Sequence, residues 1–239
     1  MENIDGVVFH FAYCERYNAI AQNFYEQFIN AQAALNACSC PMDLFEANEE
    51  TYRYYALFDA KENAALCAII FEALSIEAYV NFWGASLLGD DIFYSKYEFR
   101  RKSTDGNSEK RRSLNTLDKI KKICNDEFNT PYPTDGVHYS TLIKLFQNRD
   151  RLVHYKPKQY CISRPSPKQM YTPEMYHDYI DACKEMDFIF DGIDDQMRLY
   201  QEVKDNLEKC SGKTDPFFQQ LEDTGKEIGK AIVDMLNIY

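Results

Sequence analysis

At 239 residues the chain is long enough to bury a substantial core without disulfide or metal staples. Aromatics make up 15% of it, with 18 Tyr and 16 Phe against only 9 Gly and 8 Pro, which excludes a disordered or low-complexity chain and favours long helices. The net charge of −11 argues against a general nucleic-acid coat, so any polyanion must meet a local basic region.

The opening stretch MENIDGVVFHFAYCER lacks the basic flank and apolar block of a signal peptide. Residues 13–36 then repeat apolar side chains at helical spacing (Tyr13, Tyr17, Ile20, Phe24, Phe28, Ala31, Leu35), which predicts a first helix ended by CSCP. Pro41 suits a first helical turn, and no Gly or Pro follows until Gly84. One long helix, or two nearly coaxial ones bent at the polar run DAKEN (59–63), should fill the span to about Leu88. Its second half is the most apolar part of the chain. Glu72 and Glu77 lie within it, so it reads as a buried core helix and not a membrane span.

Between Gly89 and Ser113 come a short aromatic segment and the run RRKSTDGNSEKRR, which reads as a mobile basic loop. Charge is concentrated here: residues 1–95 carry 3 basic and 14 acidic side chains, residues 96–168 carry 17 and 8, and residues 169–239 carry 7 and 16. Helical spacing resumes at Leu114, Leu117, Ile120 and Ile123 and is broken by NTPYPTDG. A further helix runs from about Val137 to Val153, stopped by Pro157, and a linker holds Pro165 and Pro167. Thr172, Pro173 and Glu174 form a helix start. The stripe Tyr176, Tyr179, Cys183, Met186, Phe190, Ile193, Met197, Tyr200 and Leu207 then predicts one long packing helix. Asp215 and Pro216 begin a last helix with Phe217, Leu221, Ile228, Ile232 and Met235 on one face.

No alternating strand pattern, internal repeat or Gly-rich phosphate loop interrupts this order. The expected fold is all-α, a single domain over residues 1–239 built as a helical bundle with long antiparallel helices. The eight cysteines (14, 38, 40, 67, 124, 161, 183, 210) are scattered through apolar segments and read as reduced core thiols. The pair Cys38 and Cys40 has no second pair beside it, so neither metal nor cofactor is expected. A soluble, cytoplasmic protein that does not enter the membrane fits these features.

Two charges sit in apolar stripes. Leu142, Leu145, Phe146, Leu152 and Val153 leave a gap at Arg149, and Leu66, Ile69, Ile70, Ala73, Val80 and Gly84 leave one at Glu77. A buried guanidinium needs a partner, so Glu77 is expected to approach and orient Arg149. Asp150 and His154, four apart, share a helix face on which the carboxylate can set the imidazole tautomer. Arg149 and His154 diverge by roughly 140° on an ideal helix, so they converge only through a loosened last turn or through a second copy of the chain. The plain structural alternative is a helix-end histidine on the C-terminal dipole beside a buried Arg/Glu pair.

The stretch Arg149, Asp150, three residues, then His154 at a helix end resembles the RxxxxH signature of the HEPN superfamily. The segment FEALSIEAYVNFW (71–83) is similar to the Glu-containing core helix that many members carry upstream. The resemblance covers about residues 60–160, leaving N-terminal helices over 10–58 and long C-terminal helices over 172–238 outside it. It implies a helical bundle that dimerises, bringing two motifs into one cleft. It also implies a metal-independent RNase of toxin–antitoxin, abortive-infection or CRISPR systems, although other members are inactive scaffolds or binding modules.

In one toxin branch a tyrosine two positions after the histidine is modified by a nucleotidyltransferase antitoxin. Here Tyr155 follows His154 directly as a supporting residue, and Lys156 holds the expected place. The implied roles are His154 as general acid and base, Arg149 as stabiliser of phosphorus-centred charge, Asp150 orienting His154, and Glu77 orienting Arg149. Arg151, Lys156, Lys158, Arg100, Arg101, Lys102, Lys110, Arg111 and Arg112 are the cations expected to hold RNA phosphates. The partners implied are RNA, a second copy of the chain, and an antitoxin or regulatory protein. The competing expectation is a non-catalytic HEPN-like module that binds a nucleotide or a protein.

Overall fold

The structure is a computed structural model that describes residues 4–38, 48–101, 110–153 and 189–212. In chain order these form α1 (Ile4–Ala37), α2 (Glu49–Leu88), α3 (Asp90–Tyr97), β1 (Glu98–Arg101), β2 (Lys110–Ser113), α4 (Thr116–Phe128), α5 (Val137–Val153), α6 (Ile193–Gln196) and α7 (Leu199–Ser211). The fold is all-α, with one short antiparallel hairpin, β1 on β2, as the strand content of the described residues.

The chain divides into two compact units. A hairpin unit comprises Met1–Glu15, Ile76–Asp135 and Gln201–Tyr239, and an α5 unit comprises Arg16–Ser75 and Gly136–Tyr200.

α1 begins at Ile4, nine residues before its apolar repeat becomes legible. α2 is one unbroken helix of 40 residues. DAKEN does not break it, because Asp, Ala, Lys and Glu are tolerated helix residues and none of the five removes a backbone donor. Lys61 also lies 5.1 Å over the ring of Phe58, one turn back. The expected start at Pro41 lies outside the described residues. Among the described residues α2 begins behind Asn48, whose Oδ1 accepts from the Thr51 N–H at 2.9 Å, with Glu49 and Glu50 at the positive end of the dipole. By length and composition α2 is the one helix among the described residues that could cross a membrane. It is also a core helix, with 56% of its most apolar window buried inside the protein.

The hairpin unit packs the second part of α2 through Ile76, Tyr79, Val80, Phe82 and Trp83. Phe93 and Tyr97 of α3, Ile120, Ile123 and Cys124 of α4, and Val203 and Leu207 of α7 are buried in the same unit. Lys204 is buried with its charge matched by Glu15 Oε1 at 3.0 Å, its ammonium 5.2 Å from the Tyr79 ring. α4 carries a two-way cap: the Asp118 N–H donates to Asn115 Oδ1 at 2.8 Å, and Asn115 Nδ2 donates to Asp118 Oδ2 at 2.8 Å.

Gly84 is where α3 folds back on α2, since a Cβ there would overlap the ring of Phe93. Gly84→Ala is therefore expected to cost about 1–3 kcal/mol by overpacking. A thermal midpoint equal to wild type would show that the ring moves aside freely.

The α5 unit is built on Ala21 and Phe28 of α1, Ala65, Ala68, Ile69 and Ala73 of α2, and Leu142, Leu145 and Phe146 of α5. Ile189, Phe190, Ile193, Met197 and Tyr200 are also buried there. This last set confirms part of the long C-terminal stripe as core but corrects its continuity. The helix is interrupted at Gly192, which takes the left-handed φ of +69° and caps α6. A second turn follows at Met197 and Arg198 before α7. Glycine adopts that φ at little cost. The linker, the helix start at Thr172 and the last helix from Asp215 lie outside the described residues.

Cys14, Cys124 and Cys210 are buried and Cys38 and Cys67 are half-buried, each as a thiol outside any disulfide. Burial pushes the Cys124 thiol well above its ordinary range, as expected for a core thiol.

Candidate functional site

α5 occupies the span its apolar spacing predicts, Val137–Val153. Leu142, Leu145 and Phe146 are its core positions, and Asn148, only 1% exposed, is buried with them. Asn148 Nδ2 donates to the Ile189 carbonyl at 3.1 Å and to Gln196 Oε1 at 3.3 Å. Gln196, itself fully buried, donates onward to the Asp191 carbonyl at 3.5 Å. Lys144 closes the same turn from outside, its ammonium 2.7 Å from the Asp191 carbonyl and 2.9 Å from Asp191 Oδ2. These amides and the ion pair fix the register of α5 against the Asp191–Gln196 turn, and with it the position of the residue that follows Asn148.

That residue is Arg149. Its side chain is 24% exposed, its guanidinium lies 5.4 Å over the Phe146 ring, and its Nε is 2.9 Å from Asp150 Oδ1. The ring and the carboxylate limit the directions the guanidinium can take, and a planar cation so held can meet a phosphate. Asp150, expected to hold His154, lies against Arg149 and is itself exposed. Arg151 is exposed on the same turn and Val153 is 53% exposed, so the apolar stripe loosens where the helix ends. His154, Tyr155, Lys156 and Lys158 lie outside the described residues, as does Lys102.

Loss of the amide clamp should be visible in stability. Asn148→Leu leaves the Ile189 carbonyl and Gln196 without their donor in a buried site, at an expected cost of about 1–3 kcal/mol in urea unfolding. An unchanged midpoint would mean that α5 is held by packing alone.

Glu77 is half-buried in the hairpin unit. The fully buried acid of α2 is Glu72, in the α5 unit. Glu72 Oε1 accepts from the Tyr200 N–H at 2.8 Å, at the first turn of α7, and Oε2 is buried without a hydrogen-bond partner. Burial pushes this carboxyl up to about 8, against the opposing pull of the Tyr200 hydrogen bond. Glu72 is thus neutral over most of the physiological range and serves α7 as a helix cap. Sequence reasoning named Glu72 only as a charge that marks α2 as a core helix, and missed its role at the start of α7. The spacing Ala65, Ala68, Glu72, Ile76, Tyr79 was the signal for it.

Most of the basic run expected as a loop, residues 102–109, lies outside the described residues. Its two ends pair in register as a hairpin, Arg100 opposite Arg111, Arg101 opposite Lys110 and Phe99 opposite Arg112. No family model, curated protein or solved structure matches this chain. Among the described residues, no three His, Cys, Asp or Glu side chains gather to hold a metal ion.

Proposed function

We propose that this chain is a metal-independent endoribonuclease with a HEPN-like core, acting in the cytoplasm as a homodimer in toxin–antitoxin or anti-phage defence. The observation that carries the reading is the end of α5. There Arg149 is held by Phe146 and Asp150, and the helix runs to Val153, the residue before His154.

In this reading the 2′-hydroxyl of RNA attacks the neighbouring phosphorus while an imidazole takes its proton. The 5′ oxygen leaves as it is protonated, and the products carry 2′,3′-cyclic phosphate and 5′-hydroxyl ends. His154 from two chains divides the acid and base roles in one cleft. Arg149 meets the charge that builds on the pentacoordinate phosphorus. Arg151, Lys156 and Lys158 grip the backbone nearby, and an antitoxin or regulatory protein silences the cleft.

Incubating RNA with the purified chain in EDTA and analysing the product ends tests the reaction type. Cyclic phosphate ends are expected, whereas 3′-hydroxyl ends or intact RNA would overturn it.

A second reading, a non-catalytic HEPN-like module for a nucleotide or protein, is favoured by one contact. Asp150 is engaged by Arg149, the role a structural ion pair would give it. Under that reading RNA stays intact while a nucleotide binds saturably and Arg149→Ala abolishes the binding.

A further inference from the structure

α4 and α7 of the hairpin unit each bring a cysteine to the last core position before the helix ends. On α4, Cys124 follows the buried Ile120 and Ile123, and on α7, Cys210 follows the buried Val203 and Leu207. Asn129 takes the left-handed φ of +48° and ends α4, so the Thr130 N–H returns to the Cys124 carbonyl at 3.2 Å and Pro131 follows. The Pro131 carbonyl accepts from Cys210 Sγ at 3.8 Å, and the Cys210 and Cys124 thiols share a hydrogen bond. Tyr132, 3% exposed, bonds to Asn206 on the same helix as Cys210. Sulfurs within hydrogen-bond reach are a small side-chain rotation from bonding distance. A pair held so has a far higher effective concentration than two thiols on an unfolded chain.

We propose that Cys124 and Cys210 form a reversible redox-modification site, a dithiol that a small-molecule disulfide such as oxidised glutathione converts to an intrachain disulfide. The Cys210 thiolate attacks one sulfur of the oxidant, whose S–S bond breaks. One glutathione leaves as thiolate and takes up the proton that Cys210 released. Cys124 then gives up its proton, attacks the Cys210 sulfur of the mixed disulfide and displaces the second glutathione. Two protein thiols are oxidised, and one disulfide is reduced to two glutathione thiols.

Burial raises both thiols, and their shared hydrogen bond opposes the rise at Cys210 while adding to it at Cys124. Cys210 is therefore the first of the two to ionise. It is 7% exposed against 0% for Cys124, and it stands one residue before the end of α7, where a helix opens most readily. The same burial makes the reaction slow, so the pair answers sustained oxidation. The bond joins α4 to α7 and closes a loop, residues 124–210, that contains all of α5 with Arg149 and His154. The inference uses the chemistry of neither residue and stands apart from the nuclease reading.

Equilibrating the full chain in glutathione buffers, then quenching in acid, alkylating and mapping the peptides, tests it. A peptide linking Cys124 to Cys210 is expected, lighter than its two parts by two hydrogens. Its midpoint, read as the square of the thiol concentration over the disulfide concentration, should be at least about a hundredfold higher in buffer than in urea. The same factor stabilises the oxidised fold, so its thermal midpoint should rise by about 5–10 °C. Cys67, whose thiol is raised by burial alone, should carry no glutathione at that midpoint. With excess oxidant, Cys124→Ala should trap glutathione on Cys210, whereas Cys210→Ala should leave Cys124 unmodified. The same midpoint in buffer and in urea, or glutathione on Cys67 before the linked peptide forms, would show an inert core contact and overturn the proposal. RNA left intact by a chain that forms the linked peptide overturns only the nuclease reading.

Discussion

Replacing Glu72 with glutamine is expected to flatten the pH dependence of stability between about pH 5 and pH 9. The folded-state carboxyl sits at about 8 and its ordinary value is 4.5, so the native chain holds a proton that the unfolded chain releases. Stability from this group is complete below the unfolded value and is lost as pH rises through the folded one. At about 1.4 kcal/mol per pH unit, the wild type should lose about 3–5 kcal/mol across that window, while the glutamine variant should not.

Glutamine keeps an oxygen for the Tyr200 N–H, so its midpoint at acidic pH should stay within about 1–2 kcal/mol of wild type. Glu72→Leu removes that oxygen and should be destabilised by about 1–3 kcal/mol at pH 5, where glutamine is tolerated. Urea unfolding of the three proteins at several pH values reads this directly. Parallel pH curves for wild type and Glu72→Gln would show that the acid is ionised in the folded protein.

If the proposed nuclease reading holds, removing either Arg149 or His154 should abolish most RNA cleavage without unfolding the chain. On that reading His154→Ala would remove the acid–base group, for an expected loss of about 10² to 10⁴ fold in kcat. Arg149→Ala would remove a donor to the transition state, for a loss of about 10² to 10³ fold. Two groups that act on one step are non-additive, so the double variant would then fall little further than the worse single variant.

Asp150 separates two ideas. If it serves Arg149, as its 2.9 Å contact suggests, Asp150→Asn should lower kcat without moving the imidazole limb of the pH–rate profile. A shifted limb would return Asp150 to the histidine.

The sequence made some elements legible and hid others for identifiable reasons. α5 was readable because it is amphipathic and bounded by Gly136 and Pro157, so its spacing and its breakers agree. α2 was read only in part. A helix buried on several sides has no single stripe, so following Ile69, Ala73, Val80 and Gly84 left unread the Ala65, Ala68, Ile76 and Tyr79 side that encloses Glu72.

The C-terminal stripe continued through a break because Phe190, Ile193, Met197 and Tyr200 are all buried whether or not the helix is continuous. Only DGIDD, with glycine between acids, marked the turn. The hairpin was hidden because strands are recognised by alternating apolar residues, and EFRR and KRRS hold almost none. Asn148 was missed because a buried amide in a helix has no periodic signal of its own. Its partners Ile189 and Gln196 are about forty residues away in sequence and are brought together by the fold.

The most direct test of the nuclease reading compares wild type and His154→Ala, purified in parallel and given the same RNA in EDTA under single-turnover conditions. The account predicts cleavage by the wild type, with 2′,3′-cyclic phosphate ends, and a rate at least about a hundredfold lower in the variant. Equal rates in the two proteins, or RNA left intact by both, would contradict it.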